Sequence, residues 1–328
     1  MRDVAALAGV SLKTVSRVVN GEASVGEDLA ARVRRAADQL SFKPNLAASS
    51  LRRSDRKTLT IGVLLEDVAN PFSAAVHRAL EDLARSRGVS VLAGSLDESP
   101  ESERELALNL VARRVDGLVI VPAAADQSYL QSEQRAGMKV VFLDRPPRLL
   151  DADSVVSSNT AGAAEGTGHL LDKGHRRVAF LGDLASISTA AQRHAGYVAA
   201  HAERGLPIDD SLVAHGLRDL ESVERFIRQV VFGDDPPTAI FTGQNLITID
   251  AIRALHHIGQ QHRIALVGFD DFLLADLLDP SVTVVAQDPV EMGRQAGALL
   301  FARMDGDTAP SRQVLVPTRL VVRNSCSV

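Results

Sequence analysis

The 328-residue chain has a single cysteine, Cys326, and no tryptophan, and aromatic residues make up only 4% of it. One thiol cannot form a disulfide within the chain or supply a cysteine-based zinc site, so the fold must be held by a hydrophobic core. We interpret Cys326 as a thiol without a functional role rather than as a redox switch.

Long apolar runs are also missing from the sequence. No stretch approaches the roughly 18 residues that a membrane-spanning helix needs. The first twenty residues form a polar, amphipathic segment instead of the apolar core of a secretory signal. The sequence therefore predicts a cytoplasmic protein without a membrane partner.

The motifs of common enzyme classes are absent as well. The sequence contains no H-E-x-x-H, no G-x-x-x-x-G-K-[ST] and no G-x-S-x-G. The glycines Gly162, Gly166 and Gly168 are in the wrong order for a dinucleotide-binding loop, and we assign them to helix packing. The histidines between 256 and 262 have no carboxylate or thiol at ligand spacing, so we expect them on a helix surface. The sequence thus predicts no enzyme, no cofactor, no metal and no catalytic residue.

Positive charge is concentrated at the N-terminal end of an otherwise acidic chain. Residues 1–57 contain eleven Lys and Arg against six Asp and Glu, a net charge of +5. Because the whole chain carries −5, the remainder must carry −10. This distribution favours contact of the basic segment alone with a polyanion such as DNA, although a solvated basic helix surface would have the same charge.

The N-terminal segment has the pattern of a helix-turn-helix. Apolar residues at helical spacing predict three short helices, the third of which buries the first two. Their apolar stripes are Val4, Leu7 and Ala8; Val15, Val18 and Val19; and Leu29, Val33, Ala36 and Leu40. Between the first two helices, Gly9 can adopt the left-handed conformation that ends a helix. Ser11 can then cap the second helix at a backbone N–H near Thr14.

The second helix carries the side chains expected to contact DNA. The N-terminal part of such a helix faces base edges in the major groove. Lys13 and Arg17 can reach guanine acceptors there, and Leu12 can contact a thymine methyl group. Three further polar residues suit phosphate oxygens, which fix register rather than sequence: Thr14, Ser16 and Asn20. Any one of these six residues alone would be interpreted as a surface residue. Together, on one face of a capped helix, they predict a DNA-binding surface.

These residues resemble a known family. The segments Asp3–Ala5, Ala8–Ser11, Thr14–Asn20 and Pro44–Leu51 are similar, in both spacing and identity, to the headpiece of the LacI/GalR family of bacterial transcription regulators. The resemblance implies a sequence-specific regulator, expected to be a repressor. It further implies a homodimer that binds double-stranded DNA at a near-palindromic operator.

The resemblance also implies a hinge at Asn45–Leu51 that becomes helical only on DNA, where Leu51 of each subunit wedges into the minor groove. Seven residues cannot hold a helix alone in water, so order there must come from a partner. A flexible linker with an incidental leucine is the alternative. The predicted domains are the headpiece (1–44), the hinge helix and linker (45–57) and an effector-binding and dimerisation domain (58–328).

Beyond the hinge, short β-rich runs alternate with longer amphipathic stretches. Apolar strands separated by helices predict a parallel sheet covered on both faces, and the number of strands favours two lobes. The predicted strands are Leu59–Leu65, Val89–Ala93, Gly117–Val121, Val140–Leu143, Val178–Leu181, Ala239–Thr242, Ile264–Gly268, Val282–Ala286 and Leu320–Arg323. The predicted helices include Phe72–Arg87, Glu101–Arg113 and Leu246–Ile258.

This body is similar to the family's effector domain, which is related in fold to periplasmic sugar-binding proteins. The matching stretches are Asn70–Phe72, Phe142–Arg145, Gly174–Ala179, Gln192–Tyr197 and Val267–Asp271. The expected fold class is a small all-α helix-turn-helix domain followed by a two-lobed, parallel-sheet α/β domain. Lobe 1 is expected at about 58–159 plus 288–313, and lobe 2 at about 160–287 plus 314–328.

Polar residues follow several predicted strands, which is where ligands bind in such folds. By the resemblance, Arg193 and Asp270 would hydrogen-bond a polar effector through charge-assisted bonds. The full set of expected effector-binding residues is Phe72, Ser73, Asp144, Arg193, Gln244 and Asp270. A strand-end aspartate taken singly is more often a helix cap.

The expected effector is a small, polar, sugar-like molecule. Where the family commonly has Asn-Asp, this chain has Gln244-Asn245, and aromatic residues for stacking are sparse. A pentose, a polyol, an acid or another compact ligand therefore remains open, as does whether it releases or promotes DNA binding.

The remaining alternative is a receptor for transported solutes without DNA activity, which the basic N-terminal segment and the lack of a signal peptide oppose. The expected mechanism is allosteric. Ligand closes the lobes, shifts them across the dimer interface and decides whether the hinge helices form.

Overall fold

A computed structural model of the chain describes residues 1–19, 24–42 and 57–327. It divides into two units, Met1–Leu59 and Thr60–Val328, which are treated separately below. Asn20, Leu51 and nearly all of the predicted hinge (45–57) lie outside the described residues.

The first unit contains the predicted helix-turn-helix. Its helices are α1 (Arg2–Ala8), α2 (Leu12–Val19) and α3 (Glu27–Gln39). Gly9 ends α1 in the left-handed conformation, with φ of 64°, which a side chain would strain. Ser11 Oγ accepts the backbone N–H of Thr14 at 3.1 Å, so the predicted cap of α2 is confirmed.

The core of this unit differs from the predicted stripes at two leucines. Val4, Ala5, Ala8, Val15, Val33 and Ala36 form the buried cluster. Leu7 is 47% exposed, because α1 packs through its alanines instead. Leu40 is 43% exposed, because α3 ends at Gln39 and the backbone of Leu40 leaves the helical path. Arg32 closes the unit by donating from Nη2 to Ala8 O at 2.7 Å.

The second unit alternates strands with helices. Its strands are β1 (Thr60–Leu65), β2 (Ser90–Ser95), β3 (Gly117–Ile120), β4 (Lys139–Asp144), β5 (Asp153–Ser157), β6 (Val178–Leu181), β7 (Val213–Ala214), β8 (Ala239–Thr242), β9 (Ala265–Phe269), β10 (Thr283–Ala286), β11 (Gln313–Val316) and β12 (Arg319–Val321). Its helices are α4 (Pro71–Ser86), α5 (Pro100–Ala112), α6 (Gln131–Arg135), α7 (Asn159–Asp172), α8 (Ser188–Glu203), α9 (Leu220–Val231), α10 (Asn245–His257) and α11 (Pro289–Met304).

The strands build two six-stranded sheets within residues 57–327, each the centre of one lobe. The order is β11-β5-β4-β3-β1-β2 in the first lobe and β12-β10-β9-β8-β6-β7 in the second. All pairings are parallel except that of β10 with β12. The inner strands are buried along nearly their whole length, which explains why they read as apolar runs rather than as alternating patterns.

The chain crosses between the lobes at three places: after β5, after β10 and after β11. The third crossing lies later than predicted. Leu315 pairs with Val156, so lobe 1 extends through Val316 instead of ending at residue 313. The edge strand β11 mixes buried and exposed residues over only four positions, and this leaves no pattern that marks it as a strand.

Every predicted strand is present, with shifts of one or two residues at the ends, while β5, β7 and β11 were not predicted. The assignment of the helix glycines to packing is confirmed. A Cβ added at Gly166 would lie 2.6 Å from Cγ2 of Val285, so glycine lets α7 sit directly on the second sheet. Among the described residues, no helix has the length and apolarity required to cross a membrane.

Candidate effector cleft and recognition helix

A cleft of about 550 Å³, open solvent included, lies between the two lobes at the carboxyl ends of their strands. This is where parallel sheets leave backbone and side-chain polar groups free for a ligand. The structure brings all six predicted effector-binding residues to its walls: Phe72, Ser73, Asp144, Arg193, Gln244 and Asp270.

Arg193 on α8 is the most heavily restrained of these side chains, at 6% exposure. Its Nε donates to Asn159 Oδ1 at 2.8 Å, and its Nη1 donates to Gly243 O at 2.8 Å. The guanidinium carbon lies 4.0 Å from the centre of the Phe269 ring. These contacts fix the plane of the guanidinium, so the group meets a ligand in one orientation.

Asp270 faces Arg193 from the end of β9. Its Oδ2 lies 3.5 Å from Arg193 Nη1, and its Oδ1 accepts from Gln287 Nε2 at 2.6 Å. The backbone of Asp270 is left-handed, with φ of 70°, which costs a non-glycine residue free energy and occurs often at binding sites. Gln287, just after β10, was not predicted from the sequence because no residue pattern distinguishes it.

In the first lobe, Asp144 and Arg145 at the end of β4 form an acid–base pair that corresponds to Asp270 and Arg193 of the second lobe. Arg145 donates hydrogen bonds to both carboxylate oxygens of Glu98, with Nη1 donating to Oε2 at 2.7 Å. The same Nη1 also donates to Pro122 O at 3.0 Å. Asp144 Oδ2 lies 3.6 Å from Arg145 Nε. Burial raises the pKa of Asp144 above its ordinary value, against the opposing effect of the two arginines.

Three buried polar atoms in this cleft lack a hydrogen-bond partner among the described residues. They are Oδ1 of Asp144, Nε of Arg145 and Oε1 of Gln287. Buried polar groups are normally satisfied, because an unmade bond costs about 1 to 3 kcal/mol. Three such atoms in one cleft are available to hydrogen-bond a ligand or an ordered water.

A reciprocal amide pair joins the lobes at one side of the cleft. Asn245 Nδ2 at the start of α10 donates to Asn70 Oδ1 at 2.9 Å, and Asn70 Nδ2 lies 3.4 Å from Asn245 Oδ1. Both residues are buried. Each also serves its own lobe: Asn70 caps α4 by accepting from Phe72 N, and Asn245 Oδ1 accepts from Leu246 N. This pair is a direct bond between the two lobes.

The predicted DNA-contact residues within the described part of the first unit all lie on α2. Leu12 and Lys13 are exposed at the N-terminal end of the helix, whereas Thr14, Ser16 and Arg17 are half-buried. Val15 on the opposite face is fully buried. The predicted contact residues up to Arg17 therefore share the side of α2 that faces away from the core.

The sequence model for bacterial regulatory proteins of the lacI family matches residues 1–45, and that for a periplasmic binding protein-like domain matches residues 167–326. The ribose operon repressor of Escherichia coli (strain K12) is 32% identical over 329 residues, covering 99% of both chains. This chain belongs to the lacI family.

Other lacI-family members are similar over the same span. Catabolite control protein A of Priestia megaterium is 29% identical over 326 residues, which cover 98% of both chains. The crystal structure of the Lac repressor dimer bound to operator and the anti-inducer ONPF superposes with a TM-score of 0.84 at 27% identity. That match covers 99% of this chain and 98% of the other.

Membership of the lacI family confirms the fold class and the function class expected from the sequence. The protein is a DNA-binding transcription regulator with an N-terminal helix-turn-helix and a two-lobed effector domain. The roles of individual residues at α2 and in the cleft are separate questions, which the geometry above addresses.

Proposed function

We propose that this protein is a homodimeric transcription repressor that reads a near-palindromic operator through α2 and is controlled by a small polar effector bound between its lobes. The observation that carries the proposal is the cleft, where Arg193 and Asp270 converge with three unsatisfied buried atoms. In this proposal the protein has no catalytic role, and it acts in the cytoplasm, where the DNA is.

For DNA, Lys13 and Arg17 would contact guanine and Leu12 a thymine methyl, while Thr14 and Ser16 fix the register on phosphates. The basic first unit supports this assignment, because most of the affinity for DNA comes from phosphate neutralisation. Asn20 and the Leu51 wedge complete the proposed contact set. The similarity to a Lac repressor dimer seen on its operator supports the same arrangement.

For the effector, Arg193 and Asp270 would bind adjacent polar groups from the second lobe, and Asp144 would bind from the first. Phe72, Ser73 and Gln244 would enclose the ligand. The name of the ribose operon repressor supports a sugar or related metabolite as the starting class. Because the residues come from both lobes, a ligand that contacts them all binds the closed form best and so shifts the equilibrium toward it.

Exposed leucines after β9 support the dimer. Leu273 is 83% exposed and Leu277 is 74% exposed, although both lie in a well-anchored loop. Arg323 holds that loop by a two-pronged ion pair with Asp271, at 2.7 and 3.0 Å. Exposed apolar side chains on a fixed segment are typical of a surface that a partner covers.

The test is selection of binding sites from random double-stranded DNA with the purified protein, repeated with a panel of sugars and metabolites. A two-fold symmetric sequence should be enriched, and Lys13→Ala should weaken its binding. Arg193→Ala should abolish the ligand response while retaining operator binding, whereas Arg225→Ala, an exposed arginine of the same lobe, should respond as wild type. Failure to enrich any symmetric site contradicts the proposal.

A further inference from the structure

The cleft contains more carboxylates than cations. Within residues 57–327, its walls carry the acids Glu66, Glu98, Asp144, Asp183 and Asp270 and the bases Arg145 and Arg193. Arg218 approaches Asp183 from the edge at 3.8 Å. The cleft then has five acids and three arginines, or four arginines when Arg148 of the adjoining recess is included, and burial raises the pKa of three of the acids, Glu66, Asp144 and Asp183.

Both wall arginines already have partners, although Arg145 Nε makes no hydrogen bond, and one acid lacks a direct partner among the described residues. Arg145 is paired with Glu98, and Arg193 is bonded to Asn159, Gly243 and Asp270. The carboxylate of Glu66 makes no ion pair and no hydrogen bond with the described part of the chain. Glu66 is therefore an acid of the cleft without a direct partner among the described residues, and Arg145 acts on it only electrostatically.

The acids near Glu66 come from both lobes. Glu66 and Glu98 follow β1 and β2 of the first lobe, whereas Asp183 follows β6 of the second. Like charges that face each other across a closing cleft oppose closure. A cation placed between them removes that repulsion and attracts both walls, so it favours the closed form.

A second observation at the same cleft is independent of the charge count. Asp144 is 8% exposed, and its Oδ1 has no partner among the described residues although the residue lines the cleft. A buried carboxylate oxygen accepts only from a donor, and a ligand amine or hydroxyl supplies one.

We infer that the effector carries a protonated amine, held by the Glu66 carboxylate beside Glu98 and Asp183, on a polyhydroxylated body of which an amino sugar is the simplest class. The inference rests on the proposed function of this cleft as the effector site, and it adds the charge of the effector.

Other occupants fit the cleft less well. No group of three or more metal-binding side chains within the described residues is arranged to hold a metal ion, which disfavours a divalent cation. An anionic ligand would place a like charge beside Glu66, Glu98 and Asp183. A neutral sugar would bury Glu66 without a partner for its charge, so Glu66 would have to take up a proton.

The titration of Glu66 supplies a direct signature of the ligand's charge. Burial, together with Glu98, Asp183 and Asp67, raises its pKa to about 7, while Arg145 acts in the opposite direction. A bound ammonium group lowers this pKa, so proton release accompanies binding near pH 7. A neutral ligand that only deepens the burial raises the pKa further and causes proton uptake.

The experiment is titration calorimetry of the full-length dimer at pH 7 in two buffers of different ionisation enthalpy. The probes are D-glucosamine, D-galactosamine and glucamine, each compared with the corresponding hydroxyl compound, and for the two sugars also with the N-acetyl compound. At least one amine should bind tenfold or more tightly than its neutral counterparts, with release of protons. Glu66→Gln should weaken that amine roughly tenfold, as expected for the loss of one close charge pair, and abolish the proton release.

Glu105→Gln is the matched control, because it removes the same charge from an exposed position on α5 of the same lobe. It should bind the amine as wild type does. The inference is overturned if neutral compounds bind as tightly as the amines, if no amine binds at millimolar concentration, or if Ca²⁺ or Mg²⁺ binds in a way that Glu66→Gln abolishes.

The same protein is tested for release from its selected operator. If only a neutral sugar releases the protein from its operator, the inference that the effector carries an amine is refuted, while the proposed repressor function stands. Failure to select an operator would refute the repressor function, while calorimetry would still report on the cleft.

Discussion

The amide pair between Asn70 and Asn245 makes a prediction about lobe closure that can be worked out in magnitude. Asn245→Ala removes two buried amide hydrogen bonds that join the lobes. At about 1 kcal/mol for each neutral hydrogen bond, closure should lose about 2 kcal/mol. That free energy corresponds to roughly a 30-fold shift toward the open form. The substitution also removes the bond that Leu246 N donates to Asn245 Oδ1 at the start of α10.

The measurement is small-angle X-ray scattering of the ligand-free protein, supported by effector affinity. The variant should have a larger radius of gyration than wild type and should bind effector more weakly, by up to about 30-fold, because only the closed fraction binds tightly. Asn109→Ala, an exposed asparagine on α5, is the control and should scatter as wild type.

A double variant tests whether the two amides act together. Asn70→Ala combined with Asn245→Ala should open the protein no further than Asn245→Ala alone, since both substitutions remove the same bonds. A radius of gyration equal to that of wild type, together with an effector affinity within twofold of wild type, in Asn245→Ala would refute the idea that this pair holds the lobes together.

Three further predictions concern stability and assembly. Ser11→Ala removes the cap of α2 and should lower the unfolding free energy of the isolated headpiece by about 1 kcal/mol, measured by thermal circular dichroism; an unchanged melting curve would contradict the cap. The double variant Leu273→Glu with Leu277→Glu should be a monomer, as measured by sedimentation velocity, and a persistent dimer would place the interface elsewhere. Burial raises the pKa of Asp153, but hydrogen bonds from Arg303 and the backbone of Arg312 outweigh it and hold that pKa below 3.8. Its stabilisation is therefore present above pH 4 and lost as the pH falls further, so the acid limb of the stability curve should flatten in Asp153→Asn.

The sequence predicted the parts of the fold whose signals are local. Inner strands such as Val178–Leu181 are continuous apolar runs, and the turn at Gly9 and Ser11 has specific backbone requirements, so both were located correctly. The strand β5 begins with Asp153, which is buried by an ion pair with Arg303 from another element. A polar residue whose burial depends on a distant partner gives no apolar signal in the sequence.

The cleft was predictable to the extent that ligand-binding positions follow strands. Arg193 and Asp270 were expected together, and the structure places them 3.5 Å apart. Glu66 and Asp183 were missed because only the apposition of two lobes brings them near each other. The repulsion between these two carboxylates arises only in the folded protein, because they are far apart in the sequence, and a search of single residues does not detect it.

The three crossings of the chain between the lobes have a consequence for synthesis. The first sheet is completed by β11 and the second by β12, so both depend on residues after Gln313. Neither lobe can assemble its full sheet until β11 and β12 have been synthesised, whereas Met1–Leu59 precedes every strand of both sheets. A chain that ends before Gln313 would thus retain the three N-terminal helices but lack one edge strand of each sheet.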